Sequence, residues 1–257
     1  ACVKVSTRIR GLDRSLFLAQ DTQYIDFPRL EKIDAHGYQE RQPFPWINPH
    51  GLLTDAGYRQ LLVSLPDVSL FETSFGVPRR NEQPAHDRYI LEYHEELDLA
   101  PAWRNYIAEL RSARYKDNLC RLLNQRSVVL NFHWHYAPQG CHVSPHADSI
   151  RKAGSHIFYF NTADDWHPSW GGHTVILDDG GTLAYRSSPR FSDFRQEFAT
   201  EALGNRSLLF TRTAHAWHGV RPIDCPYDKL RKVFIVVINR DQVRDKLRRM
   251  TRRDSVH

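Results

Sequence analysis

The sequence predicts a mainly β fold with flanking helices, an α+β chain whose second half forms an antiparallel sandwich or barrel. Short β-rich runs recur after Arg126, each bounded by Gly, Pro, Asn or Asp turn signals. Helix-period patterns, by contrast, are confined to the first ~125 residues. At 257 residues, with 41% hydrophobic and 25% charged side chains, the chain can bury one full core.

In chain order, Thr54 is an N-cap for a helix over 55–64, with Leu61 and Leu62 on its apolar side. Pro101 suits a first helical position, and Trp103, Ile107 and Leu110 then recur at three- and four-residue spacing. A second helix over 115–123 follows. The stretch 78–98 reads as polar and irregular. Six strands are expected, at 127–136, 155–162, 173–177, 207–211, 217–220 and 231–239. With no strong linker, 1–257 reads as one domain: N-terminal support over 1–125, a β core over 126–240 and a basic tail over 241–257.

Composition narrows the function classes. No apolar run approaches the ~18 residues of a membrane span, and no signal peptide opens the chain. Cys2, Cys120, Cys141 and Cys225 form no C-x-x-C pair, which argues against a structural zinc site or disulfide framework and for a reducing, cytoplasmic setting. The net charge is +5, but residues 240–257 hold seven Arg/Lys and three Asp, a local +4, so the remainder carries only +1. A nearly neutral body is a poor nucleic-acid track. Neither nucleic acid nor membrane is an expected partner.

A redox-active iron site needs three protein ligands on one face of an octahedron, with the opposite face open. His146-Ala147-Asp148 supplies an imidazole and a carboxylate, and His218 a second imidazole. The pair alone is weak: 14 His and 30 acidic residues give about 1.6 chance H-x-[DE] matches, of which His94-Glu95-Glu96 is one. Context strengthens the candidate. His146 follows a strong strand by one Gly-containing turn, a second strand begins soon after Asp148, and His218 lies in the fifth run. Arg231 opens the sixth, a cation placed to hold the remote carboxylate of a metal-bound 2-oxo diacid. His215 is the rival ligand.

From Tyr136 to Asn239, roughly 40% of the chain, the motifs resemble the prolyl-4-hydroxylase-like branch of the iron(II)- and 2-oxoglutarate-dependent oxygenases. Tyr136 stands ten residues before His146; then come His146-x-Asp148, Tyr159-Phe160-Asn161, Asp165-Trp166, Gly171-Gly172, His218-Gly219-Val220 and Arg231. The resemblance implies a double-stranded β-helix (jelly-roll, cupin-like) core buttressed by N-terminal helices. It implies His146, Asp148 and His218 as catalytic metal ligands, and Fe(II), 2-oxoglutarate and O2 as cofactor and co-substrates, with ascorbate as a candidate reductant. Arg231 and Tyr159 would hold the distal carboxylate of 2-oxoglutarate, with Tyr136 a further contact. The gap from His218 to Arg231 is wider than in the oxygen-sensing enzymes, with a loop insertion at 224–228, and this leaves Lys232 as an alternative clamp.

Strand parity adds detail. Phe132, Trp134 and Tyr136 share a face, so a cofactor-facing Tyr136 turns His133 and His135 away. Ile157, Tyr159 and Asn161 share a face, as do Arg231, Val233, Ile235 and Val237. Trp166 and Trp170 are expected to pack a sheet edge, and Gly171-Gly172 to permit a close backbone approach. Arg151 and Lys152 lie near the site's mouth, and 186–201 is a candidate lid. The expected reaction is hydroxylation of an unactivated C–H bond in a small-molecule, sugar (glycan) or amino-acid substrate, with release of succinate and carbon dioxide. The alternatives are a peptidyl or free prolyl hydroxylase and, in another class, a non-catalytic metal- or partner-binding module.

Overall fold

Residues 22–77 and 86–241 are described in the structure, a computed structural model; the basic tail beyond Asp241 falls outside them. Local capping explains where the helices start. Asp26 and Asp34 accept backbone N–H bonds at the heads of α1 (Phe27–Glu31) and α2 (Ala35–Gln39). Thr54 accepts from Gly57 N at 3.0 Å at the head of α3 (Asp55–Val63), as its sequence predicts. α4 (Pro101–Leu110) opens on proline, and α5 (Ala113–Leu123) runs from a Ser112 cap to Asn124, whose left-handed conformation (φ 50°) ends it.

The strands are β1 (Trp46–Ile47), β2 (Glu72–Ser74), β3 (Arg88–Glu92), β4 (Val128–Ala137), β5 (Val143–His146), β6 (Lys152–Tyr159), β7 (Val175–Asp178), β8 (Gln196–Ala199), β9 (Ser207–Thr211), β10 (Trp217–Val220) and β11 (Arg231–Arg240). All six expected strands are present. The expected irregular stretch before α4 is corrected: its described part contains β3, which pairs with β4 along Tyr89–Glu92 and satisfies its backbone there. The N-terminal region thus contributes strands as well as helices.

Two antiparallel sheets result, in the orders β1-β9-β6-β11-β4-β3-β2 and β5-β10-β7-β8. This is a double-stranded β-helix with helices on the outside of its larger sheet. The register assigns each face. Phe132 and Trp134 of β4, Phe158 of β6, and Phe234 and Val236 of β11 point outward into one core with Trp103, Tyr106 and Leu119 of the helices. Ile157, Tyr159, Val233, Leu208 and Phe210 point inward and pack with Ile176 of the small sheet. The inner faces enclose the space in which a site can be built.

Trp103 is the main tie between the layers. It is fully buried, and its ring lies 5.1–5.2 Å from the rings of Trp134, Phe160 and Phe234. Truncating a buried Trp leaves a cavity that neighbours refill only in part, so Trp103→Ala should lose about 3–5 kcal/mol. Chemical denaturation should show that loss, while Tyr227→Ala, at a side chain 92% exposed, should shift the midpoint little.

Candidate metal centre and active-site cavity

β5 and β10 are antiparallel neighbours, and their register sets His146 directly opposite His218. Directly opposed residues leave the same face of a sheet, so two histidines distant in sequence meet with ring centroids 4.4 Å apart. Asp148 follows where β5 has ended. The ligand atoms of His146, Asp148 and His218 all lie within 4.8 Å of one another, and all three residues are buried. Each imidazole Nδ1 lies 3.0 Å from a backbone carbonyl two residues earlier, Ser144 O for His146 and Ala216 O for His218. A carbonyl can only accept, so Nδ1 carries the proton and Nε2 is left as the ligating atom.

The carboxylate is held from several sides. Lys152 Nζ lies 2.8 Å from Asp148 Oδ1, and the Ser155 hydroxyl donates to Oδ2 at 3.1 Å. Tyr185 and Arg212 both donate to the Asp148 main-chain carbonyl, at 3.1 and 3.0 Å. Burial pushes the carboxyl pKa up, but the charges of Lys152, His218 and His146 together outweigh it and hold the group below the usual carboxylate range. Once a metal displaces the Nε2 protons, this ionised carboxylate and the two imidazoles form a donor set suited to a divalent iron.

The triad opens on a cavity walled by Ile157, Val233, Ile235 and Val237. Arg231 lines the same cavity, 8% exposed, with its Nε donating to Gly172 O and its guanidinium carbon 5.8 Å from the Tyr159 ring centre. Burial lowers its pKa from the usual value, yet a guanidinium stays protonated. Gly172 sits at φ 82°, and a Cβ there would stand 3.2 Å from the Arg231 chain, which supports the close approach expected of Gly171-Gly172. A metal-sized cluster and a buried cation sharing one cavity can hold a metal-chelating diacid at both ends.

Residues 131–237 match the 2OG-Fe(II) oxygenase superfamily. That segment, 107 of the chain's 257 residues, is the oxygenase-like domain of the protein. Among solved structures, a Pseudomonas putida prolyl-4-hydroxylase superposes with TM-score 0.56 at 16% identity, covering 81% of this chain and 99% of its own. A Trichoplax adhaerens prolyl hydroxylase, solved with a hypoxia inducible factor oxygen degradation domain peptide fragment, gives 0.59 at 12%, covering 83% and 90%. HygX from Streptomyces hygroscopicus, solved with nickel, 2-oxoglutarate and hygromycin B, gives 0.52 at 10%, covering 76% and 83%. At such identities the structural likeness speaks for the fold. No curated protein matches the chain. This domain, together with the His146-Asp148-His218 site, makes the protein an oxidoreductase of the oxygenase type that uses Fe(II), 2-oxoglutarate and O2.

The oxygenase's structure sorts the remaining sequence candidates. Arg231 faces the cavity, whereas Lys232 faces outward and pairs with Asp165 at 2.8 Å. His215 is tied to Asp179 at 2.8 Å and lies outside the triad. Tyr159 is beside Arg231, but its hydroxyl donates to Thr174 Oγ1 at 2.9 Å and lies 3.3 Å from Thr200 Oγ1; Thr174, not Tyr159, lines the cavity. Tyr136 is a correction. It points to the helix side, stacked 4.3 Å from Phe71 with its hydroxyl donating to Pro66 O. The aromatic face of β4 is the one the core takes, so His135 lines the cavity instead. Trp166 packs against Trp170 and bonds Gly171 O. Of the candidate lid, Gln196–Ala199 is strand β8, fixed to β7.

Among the ionisable residues of the cavity, three were missed in the sequence: His86, Arg88 and His135. His86 Nε2 lies 3.0 Å from Ser144 Oγ, and its ring centre 4.9 Å from that of His146. Burial, then the charges of Arg88, His133, Arg231 and Lys152, push the His135 pKa well below its ordinary value. His135 is therefore neutral at pH 7.

Two contrasts test these assignments. His146→Ala and His218→Ala should each abolish stoichiometric manganese(II) binding in a calorimetric titration, while His215→Ala should retain it. Arg231→Met should weaken 2-oxoglutarate binding to the manganese-loaded protein by at least about tenfold, the usual loss for a charged hydrogen-bonded partner. Lys232→Met should leave it within about twofold, as for an exposed pair.

Proposed function

We propose that this oxygenase hydroxylates an unactivated C–H bond of a small-molecule, sugar or amino-acid substrate, with release of succinate and carbon dioxide. The observation that carries the reading is the joint placement of His146, Asp148, His218 and Arg231 in one apolar-walled cavity. Three ligands drawn from β5, the turn after it and β10 approach from one side, which leaves the positions facing the cavity for co-substrate.

When bound, iron and 2-oxoglutarate supply the oxidising chemistry: one atom of dioxygen ends in succinate and the other in the substrate hydroxyl. The protein's own part is orientation and exclusion of water. His146, Asp148 and His218 hold the metal. Ser155 and Lys152 fix the Asp148 carboxylate, and Arg231 anchors the distal carboxylate of 2-oxoglutarate. Ile157, Val233 and Ile235 keep the chamber dry, which strengthens each of these electrostatic contacts. A carboxylate ligand at Asp148 also occupies the position that a halide would need, which favours hydroxylation over halogenation.

HygX, solved with hygromycin B, supports a small-molecule substrate, and so does the nearly neutral body of the chain. The likeness to two prolyl hydroxylases, one solved with a peptide fragment, supports a peptidyl or free prolyl substrate as the second reading. We also propose a reducing, cytoplasmic compartment, in keeping with the free thiols of Cys141 and Cys225 within one buried cluster.

Purified protein with added Fe(II) should convert 2-oxoglutarate to succinate slowly alone and faster with substrate, and His146→Ala should form none. A screen by mass spectrometry for gain of one oxygen separates amino acids and sugars from prolyl peptides. Wild-type protein that forms no succinate, with or without the screened compounds, contradicts the proposal.

A further inference from the structure

Strand β6 enters the large sheet with one residue too many. Gly154 pairs with Ile238 and Lys152 with Asn239, so Ala153 has no counterpart on β11. This is a β-bulge, a device that re-aims a side chain next to a site. Under strict alternation Lys152 would share the helix-facing side of Gly154, His156 and Phe158. The extra residue places Ala153 in the outer core instead and turns Lys152 into the cavity beside Asp148.

We propose that Lys152, together with Arg88 of β3 in the same cavity, forms a binding site for an anionic group, a carboxylate or a phosphate, carried by the oxygenase's substrate. The inference rests on the oxygenase reading and extends it to a substrate class. The charge balance of the loaded site carries it. A divalent metal and the Arg231 guanidinium together match the two carboxylates of 2-oxoglutarate and that of Asp148. Asp148 is the one acidic side chain lining the cavity among the described residues. Once its carboxylate serves a metal, the Lys152 ammonium is left with a shared partner in a partly desolvated place, where a second anion is favoured. His135, neutral for the reasons given above, adds hydrogen-bonding capacity without adding charge. The neighbouring Ile235 and Val237 offer an apolar surface to the rest of such a substrate.

The test is a titration of phenyl phosphate, benzoate and neutral benzamide into protein loaded with manganese(II) and saturating 2-oxoglutarate. The proposal predicts that phenyl phosphate or benzoate binds at least about tenfold more tightly than benzamide; which of the two does so separates phosphate from carboxylate. Lys152→Met should remove most of that preference. Because Lys152 also touches Asp148, metal and 2-oxoglutarate binding are measured separately on this variant, and Arg88→Met, on another strand, should reduce the same preference. Lys232→Met should not. A loaded protein that binds benzamide as well as either anion, or a preference that survives both the Lys152 and Arg88 changes, overturns the anion site alone. Wild-type protein that takes up neither manganese nor 2-oxoglutarate overturns the oxygenase reading and this inference with it.

Discussion

The site depends on the register between β5 and β10. His146 and His218 face the same way only because they are cross-strand partners, and a slip of one residue would send one imidazole to the opposite face. Gly219 protects that register. A Cβ at this position would lie 2.8 Å from Val143 O and 3.0 Å from the Phe191 ring, so a larger residue would push β10 off its neighbours. The backbone carbonyls of Ser144 and Ala216 then fix how each ring is turned. The geometry of a metal centre is thus set by strand pairing before any metal is considered.

Electrostatics follow from the same framework. The inward row of β11 begins with a cation, Arg231, and continues with Val233, Ile235 and Val237, so a positive charge is held at one end of an apolar wall. A bulge delivers a second cation, Lys152, to the carboxylate of Asp148. In a space of low dielectric these charges act strongly on one another. The helices stabilise the arrangement from behind: Trp103 and Tyr106 pack on the outer face of the strands whose inner face forms the cavity.

Much of this was legible in the residues. Turn signals located six of the eight strands in the β half but not β5 or β8, which were read as loop; Thr54 and Pro101 marked two helix starts, and the His-x-Asp with a distant His identified side chains that do converge. The apolar alternation after Arg231 favoured its facing inward, but the loop insertion before it left Lys232 open as the clamp until the structure turned Lys232 outward onto Asp165. The face of β4 was not, because its alternating aromatics and histidines suit either orientation until the helix layer is known. Phe132, Trp134 and Tyr136 go to the larger apolar surface, and that choice moves Tyr136 out of the site and His135 into it. β3 was missed because its stability comes from pairing with β4 rather than from its own sequence. The cavity position of Lys152 depends on a bulge, which no local pattern announces.

The most direct test is a crystal structure of the protein grown with manganese(II) and 2-oxoglutarate. The account predicts one metal ion at about 2.0–2.2 Å from His146 Nε2, His218 Nε2 and an Asp148 carboxylate oxygen, with the far carboxylate of 2-oxoglutarate on Arg231. A metal bound elsewhere, or a 2-oxoglutarate whose far end contacts Lys232 or solvent instead of Arg231, would contradict it.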